Sequence, residues 1–163
     1  MPTIKRSGKN RNMNRNRNKI TNKKRHSSHK NGEKGVAASY EQTLVCNFLE
    51  TLHMIKLFHW KTACYSEHKA TCDLHAKLSE NIDTFVETMI GKNGARIHMG
   101  DAHKFDICDC DTVEQLKMRI QEFKKMLIEM TTKMDPSINS DLLNIRDEMV
   151  GHINQFLYLL TLS

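Results

Sequence analysis

Three histidines, two cysteines and the only tryptophan of the chain lie within seventeen residues, HWKTACYSEHKATCDLH (59–75). Imidazole nitrogens and thiolates bind transition metals readily. His59 and His68 flank a short break in the apolar pattern near Cys64, and a turn at this break would bring the two imidazoles together. The segment is therefore either part of a metal site or a helical hairpin that is rich in histidine.

Two carboxylates, Asp83 and Glu87, follow on the edge of the predicted second helix that also carries His68. His68 and Asp83 are fifteen residues apart, or about 22 Å along a helix, so they cannot bind one metal ion within a single chain. If two chains pair across a two-fold axis with these helices antiparallel, the carboxylates of one chain meet the histidines of the other. Nitrogen and oxygen ligands together suit Fe(II).

Other polar residues give weaker chemical signals. His75 and His152 fit partly buried helix positions better than ligand positions. FDICDCD (105–111) holds a single Cys-x-Cys, which lacks the second pair of ligands of a structural zinc site, so we interpret it as a loop with a helix N-cap. Trp60 is expected to be a packing anchor at the hairpin. The sequence has no phosphate-binding glycine loop or catalytic triad, and no organic cofactor is predicted.

The positive charge is concentrated at the N-terminus. Residues 1–34 hold twelve of the 25 Lys and Arg but one of the 19 acidic residues, which leaves 13 basic and 18 acidic residues for the remainder. An arm of this composition, residues 1–38, cannot form a core and is predicted to be disordered. It suits nucleic acid or another polyanion, although a solvated tail or a nuclear-import-like patch has the same composition. The candidate contact residues are Lys5, Arg6, Arg11, Arg15, Arg17, Lys23, Lys24 and Arg25.

The five cysteines bear on the compartment. Their number is odd, and no apolar signal peptide precedes them, so we expect them to be reduced in a cytosol-like compartment and the protein not to be secreted. No apolar run reaches membrane-spanning length, so no membrane partner is predicted.

Four amphipathic helices must position these side chains. Ser39 and Gln42 form a predicted capping box before the first apolar stripe. Ser66 is the expected cap of the second helix, which is predicted to end near Ile90. Asp111 is expected to open the third helix, Asp135–Pro136 to end it, and the fourth to start near Ser140.

The connection between the second and third helices sets the topology. Residues 93–110 could extend over about 59 Å, whereas a helix of about 25 residues is only about 38 Å long. We therefore predict an all-α, ferritin-like four-helix bundle over residues 39–163, in which this connection crosses the bundle; a surface loop is the alternative. The third helix has no polar residue on its stripe, which argues against a di-iron centre within one bundle.

The order His59-Trp60, His68 and Asp83-x-x-x-Glu87 resembles the signature of miniferritins of the Dps type, the DNA-binding proteins from starved cells. Four stretches are similar to an uncharacterised miniferritin-like family of phages and large DNA viruses: HW-x-T, EHKA, KLSENIDTFVE and NIRDEMVGHINQFLYLLTL. The resemblance covers about residues 40–163. It implies a homo-oligomer with two-fold interfaces and an iron site between subunits, with the metal ligands His59, His68, Asp83 and Glu87.

One residue departs from the Dps pattern. Cys72 stands where those proteins place an acid one turn after the second histidine, and Asp73 is rotated away by about 100°. A Cys72 thiolate could bind a soft metal, but it would be prone to oxidation beside iron. The resemblance therefore implies ferroxidase-like activity at most, and Cys72 argues against full activity.

Two functional hypotheses follow. The first is a Dps-like protein that binds iron between subunits and nucleic acid through its arm. The second is a virion structural or capsid-associated protein without enzymatic activity, in which the bundle serves for packing and the arm contacts the genome or capsid proteins. Both place the protein in a virion or in the host cytoplasm.

Overall fold

The computed structural model describes residues 39–100 and 104–162. These residues form four α-helices and no strand, which confirms the predicted all-α four-helix bundle. The predictions about the arm, residues 1–38, concern a segment outside the described residues. None of the four helices combines the length and apolar composition that crossing a bilayer requires. The helices are α1 (Tyr40–Lys61), α2 (Tyr65–Asn93), α3 (Val113–Lys133) and α4 (Ser140–Leu159).

The predicted capping box opens α1. The Gln42 N–H donates to Ser39 Oγ at 3.2 Å, and the Ser39 N–H donates back to Gln42 Oε1 at 2.8 Å. Each bond satisfies a backbone donor that lacks a partner inside the helix. The Gln42 amide also donates to the His98 carbonyl at 2.6 Å, which ties the start of α1 to the segment after α2.

Two predicted helix starts were wrong by one or two residues. α2 begins after Cys64 without a side-chain cap, so Ser66 lies inside the first turn and caps nothing. α3 is capped by Thr112 rather than Asp111, because Thr112 Oγ1 accepts the Gln115 N–H at 3.3 Å. Neither shift changes which residues face the core.

Residues 94–112 connect α2 to α3 and are here called the crossover; the described parts, residues 94–100 and 104–112, contact α1 from its beginning to its end. The bond from Gln42 to His98 fixes the first part of the crossover. At mid-helix, the Asp106 N–H donates to Glu50 Oε1 at 2.7 Å. Its last residues form ion pairs with the end of α1. The connection therefore crosses the length of the bundle, as predicted, and is not a wandering loop.

The crossover makes every packed pair of helices antiparallel. The end of α2 meets the start of α4, where Lys92 Nζ lies 2.7 Å from Asp141 Oδ1. Further along, Lys77 Nζ donates to Gln155 Oε1 at 2.8 Å. α1 packs against α2 and α3, and α4 packs against the same two helices.

Three phenylalanines lie at the centre of the core. The Phe48 ring packs edge-on against Phe85 at 5.5 Å and against Phe123 at 6.1 Å between centroids. Such pairs contribute about 0.5–1.5 kcal/mol each beyond the burial of their area. Fully buried apolar residues of the four helices surround them: Leu44, Ile55, Leu78, Leu116, Ile120, Leu127, Met130, Met149 and Ile153.

Two polar side chains in the core were not predicted. Arg146 of α4 is 6% exposed, and its Nη1 donates to the Leu127 carbonyl and to Thr131 Oγ1 in α3. Asn81 of α2 is also buried and donates to Glu148 Oε2 at 3.0 Å. Both contacts link α4 to a neighbouring helix. The helical periodicity of the sequence indicates only apolar packing there.

Candidate metal centre

The hairpin between α1 and α2 brings the two predicted histidines together. α1 ends at Lys61, and α2 begins only three residues after Thr62. Thr62 Oγ1 accepts the Cys64 N–H at 3.1 Å and donates to the Glu67 carboxylate, so this side chain closes the turn.

The two histidines are joined by reciprocal hydrogen bonds, each from the ring of one residue to the backbone carbonyl of the other. His59 Nδ1 lies 3.1 Å from the His68 carbonyl oxygen, and His68 Nδ1 lies 3.0 Å from the His59 carbonyl oxygen. A carbonyl oxygen can only accept, so each Nδ1 carries a hydrogen. In the neutral rings, both Nε2 atoms therefore hold free lone pairs. Metal-binding histidines are oriented in this way by a carbonyl behind the ring.

Stacking and a buried threonine fix the pair further. The ring centroids are 3.9 Å apart with an interplanar angle of 26°. His59 is 8% exposed, whereas His68 lies on the surface. Thr71 is fully buried; its Oγ1 lies 3.0 Å from the His68 carbonyl oxygen and 3.4 Å from His59 Nδ1. The sequence places Thr71 on the apolar stripe but gives no sign of this contact.

The predicted carboxylates do not reach the histidines within one chain. Asp83 and Glu87 are exposed, one helical turn apart, on the part of α2 far from His68. Over residues 39–100 and 104–162, no three His, Cys, Asp or Glu side chains lie close enough to hold a metal ion. One chain thus presents a histidine pair and, separately, a carboxylate pair.

Cys72 occupies an exposed position one turn after His68. The neighbouring Asp73 carboxylate is paired with Lys69 Nζ at 2.9 Å, so it is turned towards a surface cation. Neither residue makes a described contact with the histidine pair. The chain therefore offers no acid where the Dps pattern requires one.

A groove of about 620 Å³ follows the outer face of α1 and α2. Its walls are mainly apolar, and Asp83 and His75 lie on its α2 side. Burial lowers the pKa of His75, and Lys56, His59 and His53 lower it further by repulsion. All three of these residues belong to α1, which packs against α2. The apolar walls include Val45, Leu49, Leu52 and Val86.

Trp60 does not anchor the hairpin, and that prediction was wrong. Its side chain is 68% exposed, and Lys56 Nζ lies 5.6 Å from the ring centroid. The neighbouring positions Ile55 and Phe58 fill the core instead. The indole is therefore a surface feature beside the histidine pair.

The described residues define an all-α bundle with a preorganised histidine pair at one hairpin. The model of a family of unknown function, DUF5856, matches residues 59–160, and the chain belongs to this family. The match begins at His59 and spans all the candidate metal ligands. Searches of curated proteins and of solved structures find no match to the chain.

Proposed function

We propose that the protein is a self-associating, miniferritin-like bundle that binds Fe(II) at sites shared between two subunits. One observation carries the proposal: both histidines of the hairpin are fixed with Nδ1 bound to a carbonyl and Nε2 free. A pair held only for packing gains nothing from two accepting nitrogens. The His68 ring is exposed, so a ligand can reach it from the surface.

The available donors fit iron. Two imidazole nitrogens and two carboxylates form a mixed nitrogen and oxygen set, which suits Fe(II). When bound, iron supplies redox chemistry, whereas the chain supplies the orientation of the donors. The paired state of Asp73 and the thiol at Cys72 argue for metal binding over efficient turnover.

The second half of the site comes from another copy of the chain. If two α2 helices pack antiparallel with His68 opposite the partner's Asp83, the two-fold axis falls between His75 and Ala76. Both of these residues line the apolar groove of the α1–α2 face. The arrangement brings the histidine end of each chain to the carboxylate end of the other, so charge and apolar surface favour the same dimer.

Mixing of two variants tests the shared site. His59→Ala and Asp83→Ala should each abolish Fe(II) or Co(II) binding in titrations of the full chain. When the two variants are unfolded together and refolded, each mixed dimer contains one site that lacks both His59 and Asp83 and one site that is intact. The mixed dimer should therefore bind metal at half of the stoichiometry of the parent dimer. Asp73→Ala is the matched control and should bind normally. Failure of mixing to restore binding contradicts a shared site.

A second candidate is a packing module without metal, as in a virion structural protein. Two observations favour it: Cys72 occupies the position where the Dps pattern has an acid, and the neighbouring Asp73 is paired with Lys69. In this case the His59→Ala and Asp83→Ala variants self-associate like the parent chain, and no form binds metal in stoichiometric amounts. Solution mass and elemental analysis together distinguish the two candidates.

We also propose that residues 1–34 of the arm bind the phosphates of nucleic acid. Twelve basic residues and one acidic residue support this proposal. The affinity should fall with salt with a log–log slope of about −0.9 for each phosphate neutralised on duplex DNA. A chain that starts at Ser39 should lose this binding and keep its bundle. An unchanged affinity would assign the binding to the bundle instead.

A further inference from the structure

The last residues of the crossover are neither helix nor strand, and their side chains alternate between solvent and the bundle. Asp109 and Asp111 point outwards, and each has an Oδ1 atom 2.8 Å from Lys61 Nζ at the end of α1. Cys108 and Cys110 are on the opposite side, where Cys110 is 1% exposed and belongs to the core. The ion pairs thus hold the Cys-x-Cys segment against the bundle.

The two thiols are in contact. Cys108 Sγ lies 3.8 Å from Cys110 Sγ, and both cysteines are free. A disulfide requires about 2.05 Å between the sulfur atoms. Bond formation therefore requires the two sulfur atoms to approach by rotation of their side chains and adjustment of the short backbone between them.

The surroundings make the two sulfur atoms unequal. Cys108 lines an opening of about 250 Å³ together with Arg119 and Glu122. Hydrogen bonds from Arg119 to Glu122 first, and to Cys108 second, raise the pKa of the guanidinium. The guanidinium therefore lies beside the Cys108 thiol, which is half-buried and lines the opening. Burial, followed by the hydrogen bond to Cys108, raises the pKa of Cys110 to about 11, so this thiol keeps its proton.

We propose that Cys108 and Cys110 form a reversible dithiol–disulfide site that reacts with low-molecular-weight disulfides such as oxidised glutathione. The Cys108 thiolate attacks one sulfur of the disulfide, which breaks the S–S bond and releases one thiolate. Cys110 then loses its proton and attacks Cys108 Sγ in the mixed disulfide, which releases the second thiolate. The protein loses two electrons and two protons; the small disulfide takes up the electrons, and the two thiolates that it releases take up the protons.

This proposal does not rest on the metal site. It uses no residue of the histidine or carboxylate pairs, and it takes place at the junction of the crossover and α3. Cys64 and Cys72 are exposed and would react with the same reagent, and hydrogen bonding to Ser66 lowers the pKa of Cys64. The test therefore uses the full chain with Cys46, Cys64 and Cys72 replaced by serine.

Oxidised glutathione is added to this folded triple variant, and intact mass and peptide mapping are measured over time. The expected product has lost two hydrogen atoms, carries no glutathione, and contains a bond between Cys108 and Cys110. A stable product with one or two glutathione adducts overturns the proposal. So does reaction that occurs only after unfolding in urea.

Single substitutions in the same background test the order of the steps. Cys110→Ser should stop at a glutathione adduct on Cys108. Cys108→Ser should react at least about tenfold more slowly, because the buried Cys110 is a poor nucleophile. Arg119→Gln should slow the first step, whereas Lys117→Gln on the same helix should not. Equal rates for Cys108→Ser and Cys110→Ser contradict the assigned roles.

Discussion

Arg146 Nη1 of α4 donates to the carbonyl oxygen of Leu127 in α3 at 2.8 Å, inside the core of the bundle. The same nitrogen reaches Thr131 Oγ1 at 2.9 Å, and Nε pairs with the Asp147 carboxylate at 2.8 Å. A buried cation is thus held by a backbone carbonyl and one side chain of α3, and by the adjacent carboxylate of its own helix. Truncation of the Arg146 side chain and its replacement by an apolar side chain of similar length should therefore change the stability by different amounts.

Arg146→Ala should lower the free energy of unfolding by about 2–4 kcal/mol, because it leaves a cavity and removes charge-assisted hydrogen bonds. Arg146→Met should cost clearly less, since an apolar chain of similar length fills the space without a charge to desolvate. Urea unfolding followed by circular dichroism measures both values. Equal losses for the two variants would show that the hydrogen bonds, and not the packing, dominate.

At Asn81, in contrast to Arg146, we expect removal of the polar group to stabilise the protein. Its Nδ2 donates to the exposed Glu148, but its Oδ1 is buried without a hydrogen-bond partner among the described residues. An unsatisfied buried acceptor costs about 1–3 kcal/mol. Asn81→Leu should therefore raise the urea midpoint, while Glu148 keeps its contact with water. Glu148→Gln is the control and should change the midpoint little; a lower midpoint for Asn81→Leu contradicts the prediction.

His75 predicts a pH dependence of stability. Its pKa lies below the ordinary value of 6.5, because burial disfavours the charged ring and the positive charges of Lys56, His59 and His53 repel it. The unfolded chain therefore takes up a proton at higher pH than the folded chain. Stability should fall as the pH drops from above 6.5 through the lowered value.

His75→Gln should reduce this loss. The quantity to compare is the fall in urea midpoint between about pH 7.5 and about pH 5, measured for the parent and the variant. His98→Gln, in the crossover, is the control for a histidine outside the groove. An equal fall in the parent and in His75→Gln would rule out His75 as a source of the dependence.

Thr71 should control the geometry of the metal-binding pair rather than the fold. Thr71→Val keeps the shape of the side chain but removes the Oγ1 that contacts the His68 carbonyl and His59 Nδ1. Co(II) affinity should fall about 10–100-fold, the range typical of lost outer-shell hydrogen bonds. Nitrogen-15 NMR of the histidines should show Nδ1–H tautomers in the parent chain. Thr84→Val, on an exposed face of α2, is the matched control.

The sequence predicts the parts of the fold that repeat with the helical period. Most positions of the apolar stripes, the capping box at Ser39 and the long connection after α2 follow from spacing and composition, but Leu159, whose spacing also places it on a stripe, is 39% exposed. Arg146 and Asn81 could not be predicted, because their burial depends on partners in helices distant in sequence. The same holds for Cys110, which enters the core from a segment outside the helices, where helical periodicity gives no information.

The candidate metal site, too, could be predicted from the sequence only in part. The approach of His59 and His68 follows from the short break between two helices. Their reciprocal bonds to each other's carbonyls do not, since these bonds depend on the exact angle at which the hairpin closes. The exposure of Trp60 could not be predicted either, because helical periodicity does not distinguish the outer edge of a bundle from its core.

The crossover has a kinetic consequence. α1 with α2, and α3 with α4, are joined by short turns, whereas every contact between the two hairpins requires closure of the 94–112 segment. Short turns close in well under a millisecond, so docking of one hairpin on the other should set the folding rate. A chain cut within the crossover should then recover its native circular dichroism at a rate that depends on the concentration of the two halves.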